Sequence, residues 1–81
     1  MGKLRILSIK GDRTVTWDRK RAAEGDPEAQ EAVREAERIF REALRNGATA
    51  FRLESGAPAT RLDRFDPEAD QVVVVPRVAG G

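Results

Sequence analysis

The sequence runs out through PRVAGG, and Gly80-Gly81 is the pair whose type and place could do chemistry. A free carboxylate on Gly81 has a pKa of about 3.3–3.7 and is ionised at neutral pH. An ionised carboxylate is a poor electrophile, so it enters acyl transfer only after activation. Two residues without a Cβ suit that use, because they can enter a narrow slot and adopt backbone angles closed to other residues. Pro76 stiffens the base of the segment, and Arg77 gives it a charge that a partner can read. Val78 and Ala79 complete the stretch that such a partner would grip.

Little else in the chain is suited to catalysis. Cysteine, histidine and tyrosine are absent. That removes the thiolate nucleophile, the zinc–thiolate set, and the commonest general base and metal ligand. Carboxylates, lysines and hydroxyls remain, so no enzyme, no metal and no cofactor is expected. Asp63, Asp66, Glu68 and Asp70 lie close in sequence, but their spacing is not that of a calcium loop. Arg19-Lys20-Arg21 beside Trp17 are too few for a nucleic-acid site, and the net charge is only +1. No apolar run approaches the roughly 20 residues of a membrane span. Met1-Gly2 begins like a myristoylation acceptor, but Ile6 stands where that motif wants Ser or Thr. The expectation is a cytoplasmic monomer that binds neither nucleic acid nor membrane.

The elements that must position this segment follow from pattern. At 81 residues the chain is one domain with one core. Residues 3–10, KLRILSIK, read as a strand, Gly11-Asp12 as a two-residue turn, and residues 13–17, RTVTW, as its partner. That turn sets Ser8 opposite Val15 and Ile6 opposite Trp17, with Leu4, Ile6, Val15 and Trp17 on one face. Residues 18–25 read as a polar connection. Asp26-Pro27 opens a helix, with Asp as the cap and Pro in the first turn. Apolar residues recur on one side at Ala29, Ala32, Val33, Ala36, Ile39, Phe40, Ala43 and Leu44 until Asn46-Gly47 stops the helix. Glu31/Arg34, Glu35/Arg38 and Glu37/Arg41 are spaced to pair on its other side. Residues 48–54 read as a strand with Phe51 and Leu53 facing inward. Residues 55–70 are mostly loop, anchored by Leu62 and Phe65, with room for a short strand near 60–63. Residues 71–75, QVVVV, are apolar on both faces, which suits a strand in the middle of a sheet.

A single helix must cover one face of the sheet, and the last strand can then pair parallel to the first. The expected fold class is α+β, a mixed four-stranded sheet with one long helix on one face, in the β-grasp arrangement. In about 80 residues ending in Gly-Gly, this layout resembles ubiquitin-like modifiers and the prokaryotic sulfur carriers. The stretch DQVVVVPRVAGG carries the closer resemblance: an apolar strand, a proline, a small apolar residue and Gly-Gly. Arg77 departs from the frequent second proline, and the Asn-Gly-rich segment usual before the last strand of the sulfur carriers is missing.

The resemblance implies a β-grasp domain over 1–76 and a flexible tail over 77–81. It implies ATP-dependent adenylation of Gly81 by an activating enzyme. Transfer through a conjugating enzyme's thioester to a target protein would follow, with a deconjugating peptidase to reverse the isopeptide bond. The alternatives are a sulfur carrier, whose Gly81 thiocarboxylate feeds a sulfur-transfer enzyme in cofactor synthesis, and a non-covalent binding module. Leu7, Ile9, Val73 and Val75 form the expected partner patch, on the sheet face away from the helix.

Overall fold

A computed structural model describes residues 1–8 and 10–77 of the chain. It is an α+β domain of seven elements: β1 (Gly2–Ile6), β2 (Arg13–Trp17), α1 (Arg19–Ala23), α2 (Pro27–Arg45), β3 (Thr49–Leu53), β4 (Thr60–Leu62) and β5 (Gln71–Val75). The strands form one mixed sheet in the order β2-β1-β5-β3-β4. β1 and β5 run parallel in its interior, and the other neighbours are antiparallel. The sheet therefore has five strands and not four. β4 pairs with β3 at the outer edge, Phe51 opposite Arg61.

The hairpin differs from its expected register. Leu4 lies opposite Val15 and Ile6 opposite Arg13, a slip of four residues from the pairing that a Gly11-Asp12 turn would impose. β1 stops at Ile6, and the connection takes up residues 7–12. Within it Gly11 N–H donates to the Ser8 carbonyl, and the Ser8 hydroxyl accepts from Lys10 N–H. These local bonds compete with continued pairing and end the ladder early. Because the slip is even, every side chain keeps its face.

Residues 19–23, expected as connection, are helical. Asp18 caps that turn by accepting from Arg21 N–H, as short polar side chains do at helix starts. Asp26 does the same for α2, accepting from Ala29 N–H at 3.0 Å with Pro27 in the first turn. At the other end, Ala48 N–H reaches the Ala43 carbonyl and Gly47 N–H the Leu44 carbonyl. This double closure needs a left-handed residue just past the helix, and Gly47 supplies it at φ +93°. Over 19 residues α2 is about 28 Å long, enough to cross the sheet from β2 to β3.

The core lies between α2 and one sheet face. Leu4, Trp17, Ala36, Phe40, Ala50, Ala69, Val72 and Val74 are buried there. Phe65 packs on both Trp17 and Phe40, with ring centroids at 5.3 and 5.7 Å. Together with Leu62 it anchors the long loop against the core, as its sequence suggested. The Trp17 indole N–H donates to the Pro67 carbonyl at 2.9 Å, so the ring is buried without an orphaned donor. The expected inward pair on β3 is corrected: Ala50 is the buried residue, opposite Val74, while Phe51 and Leu53 point to the other face.

Candidate functional site

Two features meet where β5 leaves the sheet. The first is the sheet face away from α2. Alternation along β5 buries Val72 and Val74 under the helix and leaves Val73 and Val75 half-buried on the open side. The register then runs Thr14, Arg5, Val73, Phe51 and Arg61 side by side across the five strands. Leu53, opposite Gln71, adds to the same face. An apolar centre thus stands between two arginines, Arg5 and Arg61. Arg5 is braced by Asp12 at 2.7 Å.

Leu7 lies just beyond β1 and donates its N–H to the Val74 carbonyl, which continues the parallel pairing and sets Leu7 beside Val75. Three of the four expected patch residues, Leu7, Val73 and Val75, therefore share this region. Ile9 lies outside the described residues. Phe51, Leu53 and Arg61 were missed, and the reason is parity. In ATAFRLE either Ala48-Ala50-Arg52 or Phe51-Leu53 can face the core, and the larger residues drew the choice.

The second feature is the root of the C-terminal segment. Pro76 and Arg77 follow β5 directly and are exposed. A cleft of about 260 Å³ opens beside them, with Ile6, Ala43, Ala48 and Val74 among its walls. The Arg77 side chain lies over Gly47: a Cβ placed on Gly47 would stand 3.1 Å from Arg77 Cδ and 3.6 Å from its Cβ. The glycine that closes α2 is therefore also the surface on which the arginine rests. Asn46-Gly47 marked the helix stop in the sequence, but nothing there links it to residue 77. Val78, Ala79, Gly80 and Gly81 lie outside the described residues.

Several of the charged groups weighed as ligand sites have partners within the domain. Arg52, on the helix side of β3, donates to Asp66 at 3.0 Å, and that bond raises its pKa above the usual value. Arg19 donates to the Glu68 carbonyl and pairs with Asp70, while Arg21 pairs with Asp26. On α2, Arg38 bridges Glu35 and Glu42, and Arg41 pairs with Glu37. The hydrogen bond from Arg38 holds the Glu35 carboxyl below its usual pKa. A wider cleft of about 700 Å³ between α1, α2 and the 67–68 turn presents Lys20 and Arg34. Its Asp18 already caps α1. Compared with known protein families, curated proteins and solved structures, the chain matches no family model, no protein and no structure.

Proposed function

We propose that this protein is a ubiquitin-like carrier of β-grasp type, activated at Gly81. The supporting observation is topological. A hairpin, a crossing helix and a last strand set parallel to the first place β5 at the centre of the sheet, with Pro76-Arg77 and then Gly80-Gly81 following from it. A segment rooted in the central strand is held by a rigid body and can be presented to a partner's slot.

The chemistry balances as acyl transfer. The Gly81 carboxylate attacks the α-phosphorus of ATP, forming an acyl adenylate and releasing pyrophosphate. A thiol of the activating or conjugating enzyme displaces AMP and gives a thioester. An amine of the target then displaces the thiol and forms an isopeptide bond. This chain has no cysteine, so the thiol belongs to a partner. The open face around Val73 and Phe51 is the surface by which such partners hold the domain.

The test uses protein whose last residue is Gly81, incubated with ATP and an extract of its source cells. Pyrophosphate release is expected from the intact chain and is lost when Gly80-Gly81 is deleted. Deletion leaves the fold intact, because the pair lies beyond the core elements. Intact mass then separates the fates. Adducts joined through Gly81 mark a protein modifier, and exchange of one oxygen for sulfur marks a sulfur carrier. Equal activity with and without the glycine pair would sink both, leaving the non-covalent binding module.

A further inference from the structure

The open sheet face carries one sign of charge. None of the five strands contains an acidic residue, although the chain has 14 of them. Lys3 and Arg5 stand on this face of β1, and Arg61 stands on it in β4. All three are exposed. Asp12, from the connection, offsets Arg5 alone. The cations therefore form two borders, one on each side of the apolar residues of β5 and β3.

The separation of those borders selects an occupant. From β1 to β4 the sheet takes three steps, through β5 and β3. At about 4.8 Å a step, that is about 14 Å. An α-helix with its side chains is about 10–12 Å across, so one lies between the borders with its edges at the cations. A single extended strand is narrower and meets one border at a time. Along β5 the face runs from Gln71 to Val75, about 13 Å, or two to three turns of such a helix. A second copy of this face is a poor occupant, because it would set cations against cations. A lipid surface is another. The apolar residues of the face are half-buried, and Met1 is the one exposed large apolar side chain among the described residues. Nothing on the face stands out to enter an acyl layer.

We infer that the open face takes an amphipathic helix of a partner protein. Its apolar stripe lies on Val73 and Phe51, with a line of Glu or Asp along each edge of the stripe. Those carboxylates meet Lys3 and Arg5 on one side and Arg61 on the other. Complementary charge of this kind steers the encounter and fixes how the partner lies. The inference rests on the reading of this face as the partner surface, and adds the partner's chemistry to it.

Two synthetic helices of about 18 residues test it, a length that is helical alone. Both carry a stripe of Leu and Ala, and they differ only in the residues beside it, Glu in one and Lys in the other. Each is titrated into isotope-labelled protein, whose amide shifts report where it binds and how tightly. The Glu helix should bind at least about tenfold tighter than the Lys helix, with shifts at Phe51, Leu53 and Val73. Lys3→Gln combined with Arg61→Gln removes one cation from each border. Both side chains are exposed, so Tm should hold while the preference falls to about threefold or less.

Equal affinity for the two helices on the open face overturns the inference and leaves the face as a partner surface. Shifts confined to α2, or none with either helix, overturn both. Tighter binding of a single-stranded oligodeoxynucleotide to the same face overturns the inference in favour of nucleic acid. None of these measurements depends on adenylation of Gly81, so failure of the carrier reading is told apart from failure here.

Discussion

Replacing Gly2 by Ala perturbs the fold at its tightest point. Gly2 is buried in β1 directly opposite Trp17, and a Cβ there would fall well under 3.0 Å from three atoms of the indole. The ring has nowhere to go, because it is 2% exposed, packs on Phe65 and donates to the Pro67 carbonyl. Relief comes in two ways. The indole can shift, which costs about 1–3 kcal/mol of overpacking and, if the Pro67 bond breaks, a further 1–3 kcal/mol. Alternatively Gly2 can leave the strand, forfeiting its pairing and uncovering one side of the ring. Either way the loss should be about 2–4 kcal/mol. For a domain of this length that lowers Tm by about 10–25 °C.

Trp17 is the sole tryptophan, so its emission follows both the melt and the exposure of the ring. The decisive control is Gly2→Ala combined with Trp17→Phe, with all four proteins of the cycle melted by far-ultraviolet circular dichroism because the Phe variants lose the tryptophan signal. The smaller ring lacks the crowded atoms, so the double variant should be at least about 1 kcal/mol more stable than the two single losses added together. A Gly2→Ala protein that melts within about 2 °C of wild type, or strict additivity in the cycle, would refute the close packing of Gly2 on Trp17.

Two further outcomes follow from the same packing. Phe40 is 1% exposed and touches Phe65, so Phe40→Ala should cost about 3–5 kcal/mol in urea unfolding; a loss under about 1 kcal/mol would place Phe40 outside the core. Leu7 sits beyond the end of β1 on the open face, so Leu7→Asp should shift Tm by only a few degrees while, on the proposed carrier reading, weakening capture by an activating enzyme by about 1–3 kcal/mol in a titration. A large fall in Tm with capture intact would assign Leu7 to stability instead.

The layered layout was legible because its signals are local and redundant. The cap at Asp26, the stop at Asn46-Gly47 and the apolar stripe of α2 each mark the same helix. The two-sided apolarity of residues 71–75 placed β5 in the interior beside β1. The hairpin register was misjudged because a Gly-Asp pair is only one way to turn. The Ser8 hydroxyl and the six-residue connection were competitors of similar weight. α1 was missed because RKRAA has no apolar stripe; its evidence is a single cap. Gly47 stands beside Arg77 because the antiparallel register of β3 and β5, with Thr49 opposite Val75, continues past both strands, and no period or propensity in the sequence fixes that register.

The misreading of β3 carries more than a correction. A strand residue faces the core when its size suits the gap, and the gap over β3 is narrow. Phe40 from α2 and Phe65 from the loop already fill the layer above the sheet. Opposite Val74 stands Ala50, fully buried, where a third phenylalanine ring would crowd the core. The bulk that sequence reasoning assigns to the core is thereby pushed through the sheet to the other side. Phe51 and Leu53 become part of an open apolar face with Val73 and Val75, bordered by Arg5 and Arg61. Burial of that face within the domain would need a second layer, and the elements between β3 and β5 are committed to the first: Leu62, Phe65 and Ala69 all pack into the α2 side. One choice, a small residue in a core already holding two phenylalanine rings, thus fixes both the filled core and the unfilled face. Exchanging the parity, with Ala50→Phe and Phe51→Ala, should cost the core about 1–3 kcal/mol by overpacking and strip the open face of its largest side chain.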